Sequence, residues 1–137
     1  MNDTPNDESR FDGERHGTDP VVKRGDELTS ESVDAAAGLR KTVLIDESDG
    51  APNFAMRRFE LAPDAAVPRH TNAVEHEQYV LEGEYVVGIG ETEHAVGPGD
   101  ALLIPAGVEH WYRNESEEPG AFICVVPNGD DTIELVE

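Results

Sequence analysis

The chain has 137 residues, 37% hydrophobic and 29% charged, and its 30 Asp and Glu against 10 Lys and Arg give a formal net charge of -20. That length suits one domain with a single core, and that charge excludes nucleic-acid backbones and anionic membrane surfaces as partners. The acids are spread along the whole chain and only two of the cations, Lys23 and Lys41, are lysines; this favours adaptation to a salt-rich cytoplasm over an acidic partner-binding face.

Residues 1–20 carry Phe11 as their one large apolar side chain beyond the initiator methionine. Such a segment buries too little surface to offset the entropy of ordering, so a disordered acidic tail is expected there. Residues 21–40 are mixed and read as an extension that packs on the main domain or on a partner subunit. Within it, 32–39 fits either one helical turn or a segment lying along a sheet edge.

From residue 41 to the end at 137 the pattern changes. Short runs rich in Val, Ile, Leu, Phe and Tyr are spaced eight to ten positions apart by turn residues. Strands are expected at 42–45, 54–61, 76–81, 85–89, 101–104, 109–113, 121–126 and 132–136. The punctuation is Asp49-Gly50, Glu82-Gly83, Gly97-Pro98-Gly99-Asp100 and Pro105-Ala106-Gly107. Many short strands without a helical period between them predict an all-β antiparallel sandwich or barrel.

Chemistry concentrates at three places along this series. His70 and Asn72 share one face if extended, since side chains two apart in a strand point the same way. His76 opens the next strand, with Gln78 on its face and Glu75 and Glu77 on the other. His110 follows the Pro105-Ala106-Gly107 turn and shares its face with Tyr112, whereas Trp111 faces away. Neutral imidazole suits Mn, Fe, Ni, Cu and Zn, so these side chains are read as a site for one divalent transition metal. Asn72 is either a weak amide-oxygen ligand or a hydrogen-bonding neighbour of the ligands. His94, beyond the next turn, reads as exposed.

The only cysteine, Cys124, lies in the apolar run Phe122-Ile123-Cys124-Val125-Val126. Alone, it makes no internal disulfide and reads as a small apolar side chain. No stretch of about 18 apolar residues is present, and the chain reads as soluble and cytoplasmic.

The stretch GDALLIPAGVEHWYRN, residues 99–114, resembles the second cupin motif at Gly99, Pro105, Gly107, His110 and Asn114. His70 and Gly83 are similar to the first motif, with His76 where most cupins carry glutamate, as in a subgroup of small cupins with an all-histidine site. The stretches 51–57 and 122–127 are similar to that subgroup as well. Two positions depart from the pattern: Asp64 stands at an early motif glycine, and Asn72 at the second histidine of the His-x-His pair.

The resemblance implies an antiparallel double-sheet jelly-roll barrel over 41–137, with metal on His70, His76 and His110 and Asn72 beside it. It implies a pocket lined by Gln78, Tyr112, Phe122 and Cys124, and a homodimer. A mostly neutral ligand set leaves coordination positions open for dioxygen and a substrate donor atom. The leading expectation is therefore a metal-dependent dioxygenase acting on a small organic molecule. A metallo-cupin that binds a small ligand without turnover is the alternative. A sugar-phosphate isomerase stands third, because few Arg or Lys lie near the histidines.

Overall fold

The computed structural model describes residues 19–129 and 131–136. These contain eleven strands: β1 (Ser30–Ser32), β2 (Leu39–Ile45), β3 (Phe54–Leu61), β4 (Ala66–Asn72), β5 (His76–Glu82), β6 (Tyr85–Ile89), β7 (Thr92–Val96), β8 (Ala101–Ile104), β9 (His110–Arg113), β10 (Gly120–Pro127) and β11 (Ile133–Leu135). The tail expected at 1–20 lies outside the described residues except for Asp19 and Pro20.

Two antiparallel sheets face each other. One has the order β1-β2-β3-β10-β5-β8 and the other β11-β4-β9-β6-β7. The alternation that identified β5 is the alternation that packs it: His76, Gln78 and Val80 are buried while Glu77 and Tyr79 are exposed. Inward side chains of both sheets make the core, with Leu61, Val80 and Val87 fully buried around Tyr85, Tyr112 and Phe122. Among the described residues no helix is long and apolar enough to cross a membrane.

Three strands were not expected. β1 pairs with β2 at the edge of the six-stranded sheet, and residues 33–38, read as a helical turn or an edge segment, form instead the turn that joins the two strands, with the Val33 N–H donating to the Leu39 carbonyl at 3.0 Å. β2 starts at Leu39, across the boundary placed at residue 41. β4 and β7 carry weak periodicity for different reasons. In β4, Pro68 and Arg69 are both exposed and the register with β9 shifts between Val67 and His70. A proline without an N–H is tolerated at such a bulge. In β7 four of the five residues are exposed, and pairing with β6 makes it a strand.

Two turns show why the sequence carries the residues it does. Gly83 has φ 77, and a Cβ there would sit 2.3 Å from the Pro119 carbonyl oxygen, so no side chain fits. Asp64, at the position where cupins carry glycine, has φ 66. Aspartate is among the few residues that enter the left-handed region at modest cost, and its N–H donates to the Asn114 carbonyl at 2.8 Å.

Candidate metal centre

The two sheets bring the histidines together from opposite sides. His70 on β4 lies directly across from His110 on β9, with ring centroids 4.2 Å apart. His76, on the facing sheet, has its ring centroid 6.2 Å from that of His110. All three are buried, and so is Asn72, two residues along β4 from His70. The turn before β9 also holds this strand, since Gly107 N–H donates to the Asn72 carbonyl at 2.9 Å.

Hydrogen bonds fix two of the rings. His70 Nδ1 lies 2.8 Å from the Pro68 carbonyl oxygen, and His110 Nδ1 lies 2.9 Å from that of Val108. A carbonyl only accepts, so each Nδ1 donates there, and Nε2 is the ring nitrogen left for another partner. Burial pushes the His110 pKa down to about 4, and burial also lowers that of His76 against the attraction of Asp131. Both rings are therefore neutral near pH 7, the state in which imidazole binds metal.

His76 is held differently. Its Nδ1 is 3.1 Å from Cys124 Sγ, and its Nε2 is 3.3 Å from Asp131 Oδ2. That second contact lacks hydrogen-bond geometry, because His76 Nε2 is a buried atom without a partner, as are Asn72 Oδ1, Gln78 Oε1 and Asp131 Oδ1. Buried polar atoms are almost always paired, so these acceptors, together with the equally unpartnered Arg57 Nε donor on the same cavity wall, leave bonding capacity free at one place. In donor type the residues fit a divalent transition metal. Among the described residues, no three His, Cys, Asp or Glu side chains stand as a finished ligand cage. What converges is a set of donors with His76 turned towards Asp131.

Beside the donors lies a cavity of about 250 Å³. Gln78, Tyr112 and Phe122 line it, and Cys124 is not among the lining residues. Fully buried, Cys124 sits behind the wall, with its sulfur also 3.6 Å from Arg57 Nη2. Burial raises its pKa, which keeps it a thiol. Gln78 Nε2 donates to the Tyr112 hydroxyl at 2.7 Å. An aromatic wall runs through Phe59, Phe122 and Tyr112, with successive ring centroids 5.3 and 5.4 Å apart and near-parallel planes. Trp111 packs away from the cavity, under the Arg113 guanidinium at 4.8 Å.

The cavity also takes in Arg57, which the sequence offered with Arg58 and Arg69 as one of the few cations near the histidines, and Lys41, which it did not place there. Arg57 and Lys41 line it, and among the described residues neither has a carboxylate partner. Elsewhere Lys23 pairs with Asp49, Arg58 with Glu60 and Glu82, Arg69 with Glu109, and Arg113 with Glu93 and Glu115. Alternation did carry a signal for Arg57, which shares a face of β3 with Phe59 and the fully buried Leu61. Asp131 also lines the cavity. Nothing local marked it, because its place depends on where the chain returns after β10.

Comparison with known proteins follows this geometry. A cupin domain model matches residues 57–126, slightly more than half of the chain. The polyketide cyclase RemF from Streptomyces resistomycificus is 31% identical over 85% of this chain and 87% of its own, with a TM-score of 0.77. Rru_A2000 from Rhodospirillum rubrum, a cupin-2 domain, is 21% identical over 85% of this chain and 80% of its own, with a TM-score of 0.74. A cupin 2 conserved barrel domain protein from Rhodopseudomonas palustris is 23% identical over 80% and 77%, with a TM-score of 0.70. No curated protein matches the sequence. Two facing antiparallel sheets, both motif regions in place and a matching domain model give one answer: the chain belongs to the cupin family.

Proposed function

We propose that this cupin is a metal-dependent enzyme acting on a small, planar, largely apolar molecule that carries an anionic or enolisable oxygen. The observation that carries the reading is the grouping of His70, His76 and His110 at one cavity that also holds two cations, Arg57 and Lys41, without carboxylate partners among the described residues. In this reading the three imidazoles hold the ion and Asn72 lies beside them. A divalent ion there supplies Lewis-acid polarisation of a substrate oxygen and, if redox-active, a route to dioxygen.

The remaining work falls to the protein. Arg57 and Lys41 attract and orient the negative oxygen in a chain that otherwise repels anions. Phe59, Phe122 and Tyr112 stack on a planar body and exclude water. Gln78 Oε1, buried without a partner, accepts a hydrogen bond from a substrate hydroxyl.

Two chemistries share this site. Ring closure comes first, in which the enolised carbon attacks a second carbonyl of the same molecule and that carbonyl's oxygen leaves as water, with no oxidant needed; it is supported by the polyketide cyclase at 31% identity. The dioxygenase expected from the sequence is the second reading, supported by a ligand set dominated by neutral imidazoles. Both are tested by incubating metal-loaded protein with an aromatic 1,3-diketone and an aromatic β-keto acid, with and without air. Turnover indifferent to oxygen supports the first reading, and oxygen uptake matched to product replaces it with the second. Tight binding without product leaves the non-catalytic binding module, and metal-free protein after loading removes all three.

The homodimer and the salt-rich cytoplasmic setting belong to the same proposal. Phe54, Tyr79 and Leu103 are 61%, 51% and 57% exposed on the outside of the six-stranded sheet, an apolar face that a second copy would cover. Sedimentation equilibrium decides the oligomeric state.

A further inference from the structure

The most unusual group at the site is a carboxylate that no motif supplies. After β10 the chain turns back and β11 runs antiparallel to β4, with Ile133 opposite Asn72 and Leu135 opposite His70. The Ala73 N–H donates to the Thr132 carbonyl at 3.0 Å. This pairing carries Asp131 past Asn72 towards the turn that leads into His76. There Asp131 Oδ2 lies 3.3 Å from His76 Nε2, and Asp131 Oδ1 is buried without a partner. The side chain is 19% exposed, and no Lys or Arg among the described residues pairs with it.

A carboxylate so little exposed, facing a neutral imidazole and no Lys or Arg among the described residues, is costly unless a cation stands against it. Around the same place Asn72 Oδ1 and His76 Nε2 are orphaned too. Asn72 brings only an amide oxygen to its end of the site, a poorer partner than imidazole for a late transition metal. The same cavity is lined by the Asp131 carboxylate, from the segment that leads into β11, a stronger donor with a charge of its own.

We infer that Asp131 is a direct ligand of the metal, completing a His70, His76, His110 and Asp131 set in which the segment leading into β11 supplies what position 72 does not. The inference rests on the reading that the three histidines bind a metal. One carboxylate against three neutral imidazoles offsets half the charge of a divalent ion and moves preference towards harder ions such as Mn²⁺. It also ties the C-terminal strand to the site, so that metal binding and the docking of β11 on β4 support each other.

The test titrates full-length metal-free protein, as wild type, Asp131→Ala and Asp131→Asn, with Mn²⁺ and separately with Co²⁺. Circular dichroism melts check that each variant is folded. Asp131→Ala is expected to raise the Mn²⁺ dissociation constant by more than about 100-fold, beyond the roughly 10–100-fold typical of groups that only orient a ligand. It is also expected to move the visible absorption bands of bound Co²⁺, which report the ligand set. Asp131→Asn keeps an oxygen in place without its charge and is expected to fall between the two. Affinity within 10-fold of wild type together with an unchanged Co²⁺ spectrum in Asp131→Ala would overturn the inference. So would an Asp131→Asn protein that matches wild type in both readouts, since Asp131 would then act only by orienting His76. A wild type that takes up neither ion overturns the metal reading itself, a different failure from wild-type uptake unaffected by Asp131.

Discussion

Two asparagines, Asn114 and Asn72, are both more than nine-tenths buried, and both stand at cupin motif positions, yet their surroundings are opposite. Asn114 is saturated. Its Nδ2 donates to the carbonyls of Leu61, Ala62 and Glu118 at 3.0, 3.2 and 2.9 Å. Its Oδ1 accepts from the Ser116 N–H and hydroxyl at 3.0 and 2.8 Å. Asn72 Oδ1 has no partner. One end of the barrel is finished by its own polar network, while at the other a buried acceptor has no partner among the described residues. The contrast separates a residue that stabilises the fold from one held at the fold's expense.

The largest expected effect follows from the finished end. Asn114→Ala removes a set of bonds that tie the end of β3 to the loop before β10, and it strands buried carbonyls. Each unsatisfied buried group costs about 1–3 kcal/mol, so a loss of about 3 kcal/mol in unfolding free energy is expected from urea melts. Metal content of the folded fraction is expected to be unchanged. A mild Asn114→Ala protein that fails to take up metal would break the comparison.

How far all this was legible in the sequence follows the same division. β5 and β9 declared themselves because buried and less buried positions alternate along them, His76, Gln78 and Val80 in one and His110 and Tyr112 in the other facing inward. β4, with its bulge at an exposed proline and arginine, and β7, almost wholly exposed, exist through pairing, which local periodicity does not encode. At the candidate site, the motif positions brought His70, His76 and His110 to one cavity, with His70 and His110 on paired strands and His76 across from them on the facing sheet. Arg57 carried a partial signal through alternation in β3. Asp131 carried none, since its contact with His76 depends on the return of the chain from β10 to the edge of β4.

Acid probes the open end next. Burial holds His110 at about 4 against an ordinary value near 6.5, and His76 is lowered as well. As pH falls below 6.5 the unfolded chain takes up protons that the metal-free fold refuses, so stability is full above that pH and is lost as pH drops towards 4. Between pH 6.5 and 5 the expected loss from His110 alone is about 2 kcal/mol. Wild type and Asn114→Ala are expected to give parallel curves, because the Asn114 network contains no titrating side chain. A pH-independent plateau down to 5 in metal-free protein would mean that the histidines are solvated and the open end is not built as described.

Salt acts on neither end in particular. The charge of -20 repels itself across the whole surface and is screened at short range by molar salt. A rise of about 5 °C in Tm from dilute buffer to 1 M KCl, roughly 1 kcal/mol, is expected equally for wild type and Asn114→Ala. A flat response would remove the salt-adaptation reading of the composition.

The smallest stability effect is expected at Asn72, and it sharpens the contrast most. Asn72→Ala removes a buried acceptor that bonds to nothing, so the relief of its desolvation offsets lost packing and metal-free stability stays within about 1 kcal/mol of wild type. Metal affinity is where the change belongs: a weakening of about 10–100-fold, the range for groups that support ligands. Asn72→His makes the opposite case, since an imidazole then faces the same place and binding of Ni²⁺, Cu²⁺ and Zn²⁺ is expected to tighten. The added ring occupies a position the substrate oxygen would use, so turnover is expected to fall while affinity rises. Urea melts and metal titrations of the two variants decide it. If Asn72→Ala costs as much stability as Asn114→Ala, Asn72 is a structural residue whose partner is water, and the open end is a wet corner of the fold.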